Sequence, residues 1–246
     1  EAPGITGKTE EYNGSSWSEQ NNMSTGRSSL GAAGIQTSAL LVSGSNPSGI
    51  PTNVESWNGS SWTEIAEVNA SRYNNSSAIP NNTTGMIFGG ENSGFKVTTE
   101  IWDGTSWTEV GDVNTARQEA ASSLNAPYSN TLFFSGSVSP KAQTESWNGS
   151  AWTEVADLNT GRDQGAGAGS SSTAALMISG SVSPYIQVES WNGSAWTEVG
   201  DVNVGRRENP ASAGTSTSAL FTGGYAIPGS PAFSAANESW NGTSWT

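Results

Sequence analysis

Six copies of one hexapeptide constrain this chain more than anything else in it. They read YNGSSW at 12–17, WNGSSW at 57–62, WDGTSW at 102–107, WNGSAW at 147–152 and 191–196, and WNGTSW at 240–245. The second aromatic falls at Trp17, Trp62, Trp107, Trp152, Trp196 and Trp245, with spacings of 45, 45, 45, 44 and 49 residues. All 11 tryptophans lie in these pairs, and Tyr12 fills the remaining place. Two other markers keep step. One is an arginine: Arg27, Arg72, Arg117, Arg162 and Arg206. The other is an apolar run ending in small residues: ALLVSG (39–44), MIFGG (86–90), LFFSG (132–136), LMISG (176–180) and ALFTGG (219–224). A unit this short cannot bury its own apolar face, so neighbouring units must stack to form the core.

Each unit divides into four short strands. Strand a follows the arginine and is rich in small residues, as in SSLGAAGI (28–35), QGAGAG (164–169) and ASAGTS (211–216). Strand b is the apolar run. Strand c leads into the first aromatic, as in TNVESW (52–57) and TTEIW (98–102), and strand d starts near the second, as in SWTEIAEV (61–68). A period of 40 to 50 residues with four strands per unit predicts an all-β chain, a β-propeller of four-stranded blades. Small residues suit the crowded centre of such a ring, which places strand a innermost. The repeats run over 20–64, 65–109, 110–154, 155–198 and 199–246, after an N-terminal half-blade at 1–19, all in one domain. Five complete units plus that half-blade favour six blades, with the missing inner pair supplied by further chain of a longer product or by another chain; five blades is the alternative.

The Asn-Gly pair explains the hexapeptide locally. A two-residue Asn58-Gly59 turn would pair Trp57 with Ser60, and a four-residue loop would pair Trp57 with Trp62. Either way, alternation puts Trp57 and Trp62 on one face with Glu55 and Glu64, and turns Ser56, Ser61 and Thr63 to the other. A bulky face docking on a smooth one is what stacked blades need. Each buried Trp removes roughly 200 Å² from water, about 5 kcal/mol before entropic corrections. Trp57, Trp62, Trp102, Trp107, Trp147, Trp152, Trp191, Trp196, Trp240 and Trp245 are therefore read as structural. The other reading makes them platforms for sugar rings. The same Asn-Gly-Ser/Thr strings match N-glycosylation acceptors, but the turn alone accounts for them.

The apolar run ending in Gly89-Gly90 or Gly223-Gly224, with a Trp further on, resembles the kelch repeat over nearly the whole chain. Three units carry Ser-Gly instead. The string [YW]-[ND]-G-[ST]-[SA]-W, followed in most units by T-E and then N-x-x-R, resembles repeats of predicted structural proteins of marine bacteriophages. That second resemblance implies a virion component, such as a tail-fibre module or a host-recognition protein.

Composition then removes chemistries. There are 22 acidic and 9 basic residues, a formal charge of −13, so neither nucleic acid nor an anionic membrane is an expected partner. No apolar run is long enough to span a bilayer, and EAPGITGKTE carries neither the basic nor the apolar region of a secretion signal. The polar, weakly charged composition points to a virion or extracellular setting. Cys and His are both absent. That excludes disulfides, thiol nucleophiles, Ser-His-Asp triads and the copper site of galactose oxidase, which also uses kelch-like blades. The sialidase Asp-box differs from these turns in residue and spacing. Calcium at Asp103, Asp112, Asp157 or Asp201 lacks any loop-type spacing, so no metal and no cofactor are expected.

The remaining candidates are the arginines and the variable loops. Five guanidinium groups, Arg27, Arg72, Arg117, Arg162 and Arg206, would grip an anionic glycan, or each would bond carbonyls or a glutamate of the neighbouring blade. A glutamate pair running glycoside hydrolysis is the enzymatic reading, but glutamates repeated in every blade make no unique site. The b–c loops vary in length and content, and emerge on the same face as the arginine-bearing d–a connections. Phe95, Lys96, Lys141, Tyr185, Tyr225 and Phe233 are the candidate ligand contacts. The expected function is non-enzymatic: a virion structural or glycan-recognition module bound to other virion subunits or to a host-surface glycan. The alternatives are a secreted carbohydrate-binding propeller and, third, a carboxylate hydrolase.

Overall fold

The computed structural model describes residues 5–208, 210–227 and 233–246; the segment 228–232 of the last b–c loop lies outside them. The described residues hold 23 strands and no helix. A two-stranded sheet comes first, β1 (Thr9–Tyr12) and β2 (Trp17–Gln20). Blade 1 is β3 (Gly31–Ile35), β4 (Ser38–Val42), β5 (Val54–Trp57) and β6 (Trp62–Ile65). Blade 2 is β7 (Ser76–Asn81), β8 (Thr84–Phe88), β9 (Thr99–Trp102) and β10 (Trp107–Val110). Blade 3 is β11 (Ala121–Ser122), β12 (Thr131–Phe134), β13 (Thr144–Trp147) and β14 (Trp152–Glu154). Blade 4 is β15 (Ala166–Ser171), β16 (Ala174–Ile178), β17 (Val188–Trp191) and β18 (Trp196–Glu198).

Blade 5 is built from five strands. β19 (Gly205–Arg207) pairs with β22 (Tyr225–Ile227), tying the d–a connection to the b–c loop. β20 (Ala211–Thr215), β21 (Ser218–Thr222) and β23 (Asn237–Trp240) form its sheet. Its fourth strand is reduced to the Trp240–Trp245 bridge and the paired backbone bonds of Ser239 and Thr246.

The chain is a β-propeller of five blades rather than the favoured six. The hairpin of β1 and β2 remains a separate two-stranded sheet, because strand c there has no strand b to pair with. Strand a is innermost, as its small residues require. β3 packs on β7, β7 on β11, β11 on β15 and β15 on β20. Serine hydroxyls link these inner strands: Ser77 Oγ donates to the Ala32 carbonyl (3.3 Å), Ser122 to Ser77 (2.6 Å) and Ser212 to Gly167 (2.6 Å). Where blade 4 has Gly167 instead, a Cβ would stand 2.3 Å from the Ser122 carbonyl, so the approach itself demands glycine.

The core is a series of blade–blade seams. Leu40 and Val42 of blade 1 meet Trp102 and Trp107 of blade 2, and Leu132 and Phe134 of blade 3 meet Trp191 and Trp196 of blade 4. In blades 2 to 5 the tryptophan pair therefore docks backwards onto strands a and b of the preceding blade. It does not dock on that blade's small-hydroxyl c–d face, because the apolar side chains that can cover indole rings lie on strand b.

Candidate functional site

The hexapeptide turn is the four-residue loop. Trp57 pairs directly with Trp62, and Asn58 Oδ1 accepts from the Ser60 and Ser61 amides (3.0 and 2.9 Å) and the Ser60 hydroxyl (2.9 Å). Only Gly59 takes positive φ, at 93°. Asparagine is thus chosen as an acceptor and not for left-handed backbone. In WDGTSW, Asp103 does the same for Thr105 and Ser106, and these hydrogen bonds hold its pKa down at about 2.

The five arginines are enclosed in ion pairs. Each pairs with the strand-c glutamate of its own repeat: Arg27–Glu55, Arg72–Glu100, Arg117–Glu145, Arg162–Glu189 and Arg206–Glu238, at 2.5 to 3.1 Å. Every one of these guanidinium groups is at most 1% exposed, so none is available to a ligand. The partner lies in the same blade, not the neighbour, because the arginine lies at the entry to the blade whose strand c carries the glutamate. Burial pushes the pKa of Arg72, Arg117 and Arg162 down, and the ion pair opposes it. Arg27 and Arg72 also donate to the Asn53 and Thr98 carbonyls, at 2.7 Å each.

The asparagine three places before the arginine completes this latch, a role that the sequence reading did not assign. Asn69, Asn114, Asn159 and Asn203 each give backbone and side-chain N–H to the second oxygen of the same glutamate, at 2.6 to 2.9 Å. Ser24 does so in the first repeat. The strict N-x-x-R phase was the signal. The Ser-Gly departures from the kelch pattern also find a reason. Ser43, Ser135 and Ser179 take positive φ like Gly89 and Gly223. The Ser43 and Ser179 hydroxyls accept from the Arg72 and Arg206 amides, 2.8 Å in both cases.

The tryptophans assigned a structural role are buried at 1 to 6% exposure except Trp62, which is partly covered. Their rings pair at 5.2 to 5.5 Å. Trp152 and Trp196 donate to Thr99 and Thr144 hydroxyls at 3.1 Å. Apart from Trp57 and Trp62, which line a cavity beside β1 and β2, these tryptophans present no open face on which a sugar ring would stack.

The accessible candidates lie on the loops. The b–c loops and d–a connections share a face: the Tyr73 and Glu91 backbones pair, and Gly90 N donates to the Arg117 carbonyl (2.9 Å). On that face Phe95 is 45% and Phe233 75% exposed. Phe233 meets the half-buried Tyr225 edge-on at 5.9 Å, and the Arg207 guanidinium lies over the Tyr225 ring. Lys96 and Tyr185 are half-buried. Lys141 is engaged by Asp163 at 2.7 Å. The candidates are thus distributed over blades 2 to 5, with Tyr225 and Phe233 in direct contact. None of these loop candidates lines the central channel of about 370 Å³, which is bordered by Ala32, Ser77, Ser122, Gly167 and Ser212. At the channel, burial lifts the Glu119 carboxyl above its usual range, opposed by a hydrogen bond from Gln164 Nε2 (3.3 Å). Among the described residues no three acidic side chains gather to hold a metal ion.

No protein-family model and no curated relative matches the chain. Among solved structures it resembles that of YjhT, with a TM-score of 0.74 and 13% identity over 97% of this chain and 95% of that one. At that identity the likeness is one of fold, and it supports the β-propeller arrangement.

Proposed function

We propose that this chain is a non-enzymatic recognition module of a bacteriophage particle, held by other virion subunits and presenting its b–c loops to a glycan of the host surface. One observation carries the reading. The repeated tryptophans and arginines of blades 2 to 5 are enclosed, while the exposed aromatics on the loop face, Phe95 and Phe233, sit in segments that differ from blade to blade. Constant scaffold with variable loops on one face is how repeat proteins build binding surfaces. Aromatic rings with few free cations suit a neutral glycan. The formal charge is −13, five arginines are locked in ion pairs and Lys141 is paired.

The same locking argues for a binding role over hydrolysis. The strand-c glutamates are consumed by the latch, and the strand-d glutamates Glu64, Glu109, Glu154 and Glu198 repeat in equivalent exposed places. The test is binding of the purified chain to bacterial envelope glycans and intact marine bacteria, beside a Phe95→Ala/Phe233→Ala variant. Saturable binding lost in that variant supports recognition by the loop face. Binding unchanged in the variant, or absent for every glycan and cell, removes it. Fixed copy number in purified particles separates a virion protein from a secreted propeller.

A further inference from the structure

Blades 4 and 5 carry the same residues toward the next place in the ring, but only blade 4 has a neighbour there. Ala166 and Ala168 of β15 and Leu176 of β16 are 4%, 0% and 0% exposed beneath blade 5. One repeat later, Ala211 and Ala213 of β20 are exposed and Leu220 of β21 is only half-buried. Across the opening, blade 1 repeats the mismatch. Ala39 and Leu41 are half-buried where Ala175 and Met177 of blade 4 are fully covered. β20 and β3 make no contact comparable to those between the other successive inner strands.

The outer half of this place is already filled. β1 and β2 lie against blade 1 as strands c and d of one blade lie against the next. Trp62 Nε1 donates to Thr9 Oγ1 at 2.8 Å, matching the bonds of Trp152 and Trp196 to Thr99 and Thr144. The Gln36 amide donates to the Tyr12 carbonyl (2.5 Å) as the Asn82 amide does to that of Trp57 (3.0 Å). Inside this hairpin, Tyr12, Trp17, Trp57 and Leu220 enclose an apolar cavity of about 320 Å³. Complete blades put strand-b side chains such as Leu132 and Phe134 at this position. In blades 1 to 5 strand c pairs with strand b, whereas among the described residues β1 pairs with β2 alone and its inner edge has no partner strand.

We propose that the opening between blades 5 and 1 is a docking site for one two-stranded β-hairpin of this repeat's own a–b type. The occupant has a Ser/Ala/Gly strand beside the channel and an apolar strand ending in Ser-Gly or Gly-Gly. It adds to the free edge of β1 by strand addition and seats its apolar side chains on Trp57 and Trp62. A serine in its inner strand repeats the step from Ser212 to Gly167 by donating to blade 5. A second copy of the folded chain does not fit, because each of its a–b hairpins is committed to its own blade.

The test uses a peptide copying residues 159–182, which spans Asn159, Arg162, β15 and β16. It is added to the full chain, followed by tryptophan fluorescence, titration calorimetry and thermal unfolding. One peptide per chain is expected to bind, shift the emission to the blue and raise the unfolding midpoint. Ala213→Lys, an exposed change that leaves the free chain folded by circular dichroism, weakens binding by roughly tenfold or more by burying an unpaired charge. A peptide with Leu176→Ser and Ile178→Ser does not bind. The proposal fails if neither the free peptide nor the same segment joined after Thr246 raises the midpoint, or if Ala213→Lys leaves binding intact. It also fails if the chain self-associates through this opening and the peptide does not dissociate it.

Discussion

The hairpins at 12–17 and 147–152 share one local design and meet two different fates. Their rings pair almost alike, at 5.2 Å and 37° for Tyr12–Trp17 and 5.4 Å and 47° for Trp147–Trp152. Asn13 and Asn148 each accept through Oδ1 from the amides two and three residues on. Yet Trp17 is 40% exposed and Trp152 6%. The hexapeptide makes its turn and its ring pair unaided. The burial that turns a ring pair into an adhesive seam comes from the neighbouring blade.

The strongest way to break this comparison is to delete the rings. Trp152→Ala is expected to cost about 3–5 kcal/mol by chemical denaturation, since it empties a site packed by Phe88 and Phe133. Trp17→Ala is expected to cost under about 1 kcal/mol. Similar losses would mean that the N-terminal pair is covered in solution.

The ion pairs offer the next contrast. Glu145→Gln leaves the enclosed Arg117 guanidinium without its counter-charge and is expected to cost about 3 kcal/mol. Glu19→Gln removes a pair with Lys8 whose side chains are 57% and 61% exposed, and is expected to change stability by about 0.5 kcal/mol or less. Urea midpoints of the two variants check both values.

The turn is where the two regions should agree. Asn13→Ala and Asn58→Ala each remove an acceptor from the same loop, at about 1 kcal/mol each. A large difference between them would show that the turn, and not only the seam, depends on its neighbours.

The smallest effect is a titration. Asp103 has a folded pKa of about 2, below its unfolded value of about 3.9. The stability it contributes is present above the unfolded value and is lost as pH falls toward about 2. Carboxyl NMR should follow that titration, and Asp103→Asn should abolish the acid sensitivity of this turn alone.

Much of this organisation was legible in the sequence, because it is periodic. Small residues in strand a, the apolar strand b and the aromatic pair each recur at one phase, and each maps to one place in the blade. The arginine phase was equally clear, but its partner was not. Glu145 lies 28 residues beyond Arg117, and only the folding of the blade brings the two together. Likewise, alternation put Trp57 and Trp62 on one face without saying which surface that face meets. Phe95 and Phe233 could be named as loop aromatics, but their exposure could not.

The sequence by itself determined the repeat, the phase of the strands and the place of the turns, since each is settled by contacts within a few residues or by side-chain periodicity; whether Trp57 faces Ser60 or Trp62 was left to the structure. The tertiary structure alone decided burial, which depends on what lies across the seam. Ala168 and Ala213 occupy the same position of the same repeat, one covered and one exposed, because blade 4 has a successor and blade 5 faces the opening.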